Sequence, residues 1–123
     1  MELILQILFG VISLICLLVG ANSLIKGTGS FLPEYIPPQP KLDNAFRFFS
    51  GMFFSFAFLL IWMIFHIETT TQIIYLVGWV VTSAGLGRFY SRIKVGSAGK
   101  YYDCIMVIEI LLGISIMLLQ YFR

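Results

Sequence analysis

The fold is decided by apolar runs such as residues 44–66, which read NAFRFFSGMFFSFAFLLIWMIFH. A transmembrane α-helix needs about 20 consecutive, mostly apolar residues, and this run meets that requirement. Further runs of similar character cover residues 3–25, 72–90 and 102–122. All of them are continuously apolar, whereas the strands of a membrane barrel alternate in polarity over about 10 residues. The sequence therefore predicts an all-α, polytopic membrane protein, folded as a bundle of four transmembrane helices.

The composition excludes a soluble protein of this length. Of the 123 residues, 59% are hydrophobic and 11% are charged, whereas soluble domains average about 45–50% apolar and about 25% charged residues. A short soluble chain has too high a surface-to-volume ratio to bury so much apolar surface. The net charge of +2 is too small for the basic surface of a nucleic-acid-binding protein. We expect one transmembrane domain over residues 1–123 and no nucleic-acid partner.

The connections between the predicted helices differ in length and charge. Residues 26–43 form the longest one, and its four prolines predict an irregular loop, because proline fixes φ and lacks an N–H donor. Lys and Arg gather in this loop and in residues 92–103, whereas the amino terminus and residues 67–71 carry none. Since cytoplasmic loops carry the excess of Lys and Arg, we expect both termini outside.

Three ionisable groups are predicted to lie inside the spans, where each costs about 2.5–3.5 kcal/mol at mid-helix. At a rise of about 1.5 Å per residue, Arg47, Arg88 and Glu109 all lie within about two turns of one membrane face. Asn44 opens the second helix at that face. We therefore predict a polar layer in which both arginines face the bundle interior and share Glu109, with Asn44 beside them.

This predicted layer contains two positive charges and one negative charge, and three interpretations stay open. The first is a structural clamp that fixes helix register, with Asp43 as a source of further negative charge. The second is a site for an anionic phospholipid, because basic pockets between helices on the cytoplasmic side bind such headgroups. The third is a carboxylate, Glu109, that couples protons or substrate.

Two short motifs surround the arginines. Residues 44–51, NAFRFFSG, resemble the signature N-x-[FY]-R-[FY]-x-[SG]-G, and residues 85–91, GLGRFYS, resemble G-x-G-R-x-x-S. Glu109 stands where the family with these signatures carries a glutamate in its last helix. These are small bacterial four-helix membrane proteins catalogued as a domain of unknown function. The resemblance implies a multi-pass protein of the bacterial inner membrane and no established activity.

Small residues four positions apart predict close helix packing, since they let helix backbones approach in lipid. Such pairs are Gly51 with Ser55, Gly78 with Thr82 and Ser83 with Gly87. They serve contacts within one protomer or a seam between copies. Closed cyclic symmetry is common among homo-oligomers, and we expect a homo-oligomer, with a trimer considered before a dimer.

The sequence contains no Ser-His-Asp set, no metal-ligand cluster and no phosphate-binding loop, so we expect no catalytic residues, metal or cofactor. The function expected first is a non-enzymatic, oligomeric scaffold or lipid-interacting protein that contributes to envelope homeostasis, with membrane lipids, including anionic phospholipid, as partners. The alternative is a small proton-coupled exporter, because the chain resembles small multidrug transporters in size and helix number. Those proteins carry their essential glutamate in the first helix, so Glu109 would have to replace it.

Overall fold

The computed structural model of the protein describes residues 2–37 and 39–123, and this part of the chain contains four long helices and no strand. The helices are α1 (Glu2–Lys26), α2 (Pro40–Phe65), α3 (Thr71–Lys94) and α4 (Lys100–Phe122), with a 3-10 helix at Gly27–Ser30. Each long helix has the length and apolar composition to cross a membrane. The predicted all-α fold with four spans is confirmed.

The chain forms two compact units. The first, which we call the α1–α2 unit, comprises Gln6–His66 and contains most of α1, the 3-10 helix and α2. The second, the α3–α4 unit, comprises Ile67–Arg123 together with the start of the chain up to Leu5.

Helix α2 begins at Pro40 rather than at the predicted Asn44. Pro40 occupies the first helical turn, where its missing N–H leaves no hydrogen bond unmade and its fixed φ suits the helix. The predicted irregular loop over residues 26–43 is therefore wrong at both ends, since Gly27–Ser30 is a 3-10 helix and residues 40–43 belong to α2. Pro38 of the same predicted loop lies outside the described residues.

Helix α3 continues to Lys94, beyond the predicted end at residue 90. Arg88 and Arg92 therefore stand four residues apart on one helix face. The connection to α4 is short, and Gly96 and Gly99 within it have φ values of +112° and +125°. Such left-handed backbone suits glycine, which has no Cβ to clash, and it lets the chain reverse direction within five residues, 95–99.

One face of α3 packs closely on α4. The buried residues of α3 recur every three or four positions, as an amphipathic helix requires: Ile74, Val77, Gly78, Val81, Thr82 and Gly85. A Cβ added to Gly78 would lie 3.0 Å from the carbonyl oxygen of Gly113. Among the predicted small pairs, Gly78 and Thr82 thus serve packing inside the unit, whereas a Cβ on Gly87 would meet open space.

Helices α1 and α2 approach each other closely at Gly20, a glycine outside the predicted small pairs. A Cβ added to Gly20 would lie 2.9 Å from the Cα of Phe54. The predicted small residue Gly51 has a looser surrounding, with Leu24 Cδ2 as its near neighbour at 3.8 Å. Near the other end of the two helices, Gln6 Nε2 donates to the carbonyl of Ile64 at 2.9 Å.

Candidate functional site

Arg47 closes the carboxyl end of α1. Its Nη1 donates to the carbonyl oxygen of Leu24 at 2.7 Å and to that of Ile25 at 3.4 Å. The last carbonyls of a helix lack intrahelical partners, and a cation there also suits the negative end of the helix dipole. The guanidinium of Arg47 therefore satisfies acceptors that the end of α1 exposes.

Asp43 holds this arginine in place from one turn earlier in α2. Its Oδ2 accepts a hydrogen bond from Arg47 Nε at 2.8 Å. Its Oδ1 accepts from the backbone N–H of Thr28 at 3.0 Å and from the Thr28 hydroxyl at 3.5 Å. The carboxylate thus ties the arginine to the 3-10 helix after α1. We call Gly27, Thr28, Asp43 and Arg47 the α1-end clamp.

Gly27 is the backbone element of the clamp. Its φ is +61°, in the left-handed region where glycine commonly ends a helix. A Cβ at this position would fall on the Asp43 carboxylate and lie 2.6 Å from Arg47 Nη2. The turn after α1 and the approach of the arginine therefore both require the absence of a side chain here.

Arg88 and Glu109 form an ion pair across α3 and α4. Arg88 Nε lies 3.2 Å from each carboxylate oxygen of Glu109, and the side chains are 42% and 22% exposed. Within each unit the arginine thus has a nearby carboxylate, Asp43 for Arg47 and Glu109 for Arg88. Asp43 supplies negative charge beside Arg47, and the sharing of Glu109 by both arginines stays a prediction.

Asn44 joins no hydrogen-bonded cluster in the described part of the α1–α2 unit. It is exposed on α2, and its side chain makes no hydrogen bond to the residues that the structure describes. Helix α2 begins at Pro40, so Asn44 lies in the second turn of the helix rather than at its first residue. Of Asn44 and its neighbour Asp43, only Asp43 turns toward the end of α1.

A second ion pair lies one turn beyond Arg88. Arg92 Nε donates to Asp103 Oδ1 at 3.2 Å, and the Ser97 hydroxyl donates to Asp103 Oδ2 at 2.7 Å. The sequence predicts a turn over residues 92–103 and does not indicate Arg92 and Asp103 as site residues. The available signal was the four-residue spacing of Arg88 and Arg92, which puts both on one face if α3 continues.

A cavity of about 110 Å³ opens between these ion pairs and the α3–α4 connection. Its polar lining comes from Arg88, Ser91, Arg92, Tyr102 and Asp103. The described residues contain no group of three or more His, Cys, Asp or Glu side chains placed to hold a metal ion. The cavity presents guanidinium and hydroxyl groups, which are donors suited to an anion.

The comparisons with known proteins identify a family without an assigned activity. A family model described as a domain of unknown function, DUF4345, matches residues 4–120 of the chain. No curated protein and no solved structure matches the chain. Function must therefore be inferred from the residues themselves.

Proposed function

Because the chain belongs to the DUF4345 family, a domain of unknown function, we propose from its own geometry that it is a non-enzymatic membrane scaffold that binds anionic lipid. The single observation that carries this proposal is the cationic, cavity-bearing end of the α3–α4 unit, where Arg88 and Arg92 lie side by side. Its role would be to contribute to the homeostasis of a bacterial cell envelope through contacts with membrane lipids.

The charge at this end of the unit supports an anionic partner. Residues 86–109 contain four cationic side chains and two carboxylates, which leaves two positive charges. The cations are Arg88, Arg92, Lys94 and Lys100. A basic side chain near an anionic membrane surface contributes about 1 kcal/mol to binding. Such a surplus at the end of a transmembrane hairpin favours anionic over zwitterionic lipid.

The apolar outer faces of the helices support a scaffold embedded in lipid and assembled from several copies. Large apolar side chains such as Leu76, Trp79, Leu111 and Leu118 are each more than half exposed in the single chain. Acyl chains or a second copy would cover them. We propose a homo-oligomer, with a trimer considered before a dimer.

We place the protein in the bacterial inner membrane with both termini outside. The support for this orientation is the distribution of basic residues, because Lys26 and Lys41 border the α1–α2 connection and Lys94 and Lys100 border the α3–α4 connection. Positively charged connections stay in the cytoplasm. The α3–α4 cavity would then open toward the inner leaflet.

Anionic lipid is expected to raise the thermal unfolding temperature of the purified protein, whereas zwitterionic lipid is not. Binding to the folded state alone stabilises it by about 2.7 kcal/mol when the free lipid is at 100 times its Kd. Phosphatidylglycerol and phosphatidylcholine, added at matched concentrations to protein in a neutral detergent, provide the comparison. An equal rise with both lipids contradicts the proposal.

The second candidate function, a proton-coupled exporter, is favoured by one observation: Glu109 is a carboxylate within a candidate span and is 22% exposed. To carry a proton, it would have to give up its pairing with Arg88, which approaches both carboxylate oxygens at 3.2 Å. We therefore expect proteoliposomes under a proton gradient to take up no more of a cationic drug than empty vesicles. Uptake that Glu109→Gln abolishes would establish the exporter instead.

A further inference from the structure

We infer that the cavity at the α3–α4 connection binds the phosphate of an anionic phospholipid headgroup, with Arg88 and Arg92 as its principal ligands. This inference rests on the proposed function and names the site that performs it. We call Arg88, Ser91, Arg92 and Tyr102, which line the cavity, the headgroup site.

The ion pairs of the two arginines orient them without using all their donors. Arg88 donates to Glu109 through Nε, and Arg92 donates to Asp103 through Nε. A guanidinium has five N–H donors in a planar fork, and the Nη groups of both side chains make no hydrogen bond to the residues that the structure describes. Arginine often binds phosphate through two parallel hydrogen bonds, and two such forks four residues apart can bind one phosphate together.

The size and lining of the cavity suit a phosphate group. Its volume of about 110 Å³ is several times the about 10–15 Å³ needed for one water molecule. Ser91 precedes Arg92 on α3 and lines the cavity, and Tyr102 of α4 also lines it. Their hydroxyl groups add neutral donors to the charged ones, so the four members of the headgroup site can each donate to an anion.

Asp103 lines the same cavity but its carboxylate is already satisfied by the protein. Oδ1 accepts from Arg92 and Oδ2 accepts from Ser97. The charges of the two ion pairs cancel, and Lys94 and Lys100 at the adjoining helix ends add two positive charges. The carboxylates therefore position the arginines, while the lysines keep the surrounding potential positive.

Apolar side chains beside the arginines favour a lipid over a soluble phosphate. Phe89 stands three residues before Arg92 on α3, which puts it beside Arg92 and one turn nearer the middle of the span, and it is 44% exposed. Met106 of α4 reaches the cavity lining. Acyl chains continuing from a bound headgroup would cover these side chains, whereas a free phosphate ion would leave them exposed.

Arg47, the other arginine of the predicted layer, is not a member of this site. Its guanidinium contacts the carbonyl oxygens of Leu24 and Ile25 and the carboxylate of Asp43. These three acceptors belong to the protein and use both the Nε and Nη1 groups. Phosphate recognition is therefore assigned to the α3–α4 unit, and helix closure to the α1–α2 unit.

Arg88→Gln and Arg92→Gln are each expected to lower the affinity for phosphatidylglycerol by about 10-fold or more, since a hydrogen bond to a charged group is worth at least that factor. The measurement is titration of the full-length protein in detergent with phosphatidylglycerol, followed by native mass spectrometry. Lys41→Gln is the control, because it removes one positive charge from an exposed position on α2, in the unit without the headgroup site, and we expect less than about a threefold loss.

Three outcomes overturn the inference. If the wild-type protein prefers phosphatidylglycerol and both arginine variants keep that preference, the site is wrong while the proposed function stands. If the wild-type protein shows no preference, both fail. If inorganic phosphate or glycerol phosphate displaces phosphatidylglycerol at equal concentration, the ligand is a soluble phosphate rather than a lipid.

A further pair of variants keeps the test decisive if a glutamine variant does not fold. Arg92→Lys keeps the charge but loses the planar fork, and Ser91→Ala removes one neutral donor from the cavity lining. Both are expected to weaken binding of phosphatidylglycerol by an amount between those of the control and Arg92→Gln. Unchanged affinity in both, with the helix content retained, counts against the headgroup site.

Discussion

Gly113→Ala is expected to lower the free energy of unfolding by about 1–3 kcal/mol, the usual effect of overpacking a tight core. Alanine normally favours a helix over glycine by about 1 kcal/mol, so packing reverses the sign here. The added Cβ would lie 2.6 Å from the backbone N of Thr82 and 2.7 Å from the carbonyl oxygen of Gly78. Because both atoms belong to the backbone of α3, the clash can be relieved only by moving α3 away from α4.

Gly87→Ala is the matched control, because a Cβ there meets nothing within 4 Å. We expect this variant to equal or exceed the wild-type stability, as intrinsic helix propensity predicts. Both variants are compared by circular dichroism during thermal unfolding in the same detergent. Equal unfolding temperatures for Gly113→Ala and Gly87→Ala would show that α3 and α4 do not pack through this glycine.

Gly27→Ala is expected to destabilise the α1–α2 unit by more than about 1–2 kcal/mol, which is the cost of a left-handed conformation for a residue with a Cβ. The side chain also meets the Asp43 carboxylate and Arg47 Nη2, so the clamp must open. Phosphatidylglycerol binding should stay unchanged, because the headgroup site lies in the other unit. Thermal unfolding and native mass spectrometry on the same sample measure both quantities.

Gly29→Ala controls for the loss of a glycine in the same 3-10 helix. Nothing lies within 4 Å of a Cβ at Gly29, and its φ is outside the left-handed region. We expect wild-type stability for this variant. A similar loss in both variants would mean that the segment is sensitive to any substitution and that the clamp has no special role.

The sequence predicts the number of spans because hydropathy and length are sufficient to define a membrane helix. It does not predict where the helices end, because helix ends depend on local hydrogen bonds rather than on hydropathy. Pro40 illustrates this: as a proline it indicates a loop, yet at the first turn of α2 it favours the helix. The end of α3 up to Lys94 likewise has too few apolar residues for a hydropathy pattern to include it in the span.

The polar pairs were predictable to different degrees. The sequence predicts that Arg88 and Glu109 lie at a similar depth in the membrane, on consecutive helices. That depth is enough to predict their ion pair. The partners of Arg47 depend on the left-handed turn at Gly27 and on the carbonyls at the end of α1, neither of which a hydropathy pattern reports. The predicted membership of a family of unknown function is confirmed by the match over residues 4–120, but that family assigns no separate tasks to the two arginines.

The most direct test of this division of tasks is a dipolar-coupling measurement by solid-state NMR, between guanidinium nitrogens and lipid phosphorus. The protein is labelled with nitrogen-15 at arginine and reconstituted in phosphatidylglycerol-containing bilayers. The predicted result is that lipid phosphorus dephases the arginine nitrogen signal in the Arg47→Lys variant. This dephasing is expected to disappear in the double variant Arg88→Lys with Arg92→Lys. Dephasing that disappears in Arg47→Lys and persists in the double variant would contradict the assignment of phosphate binding to the α3–α4 unit.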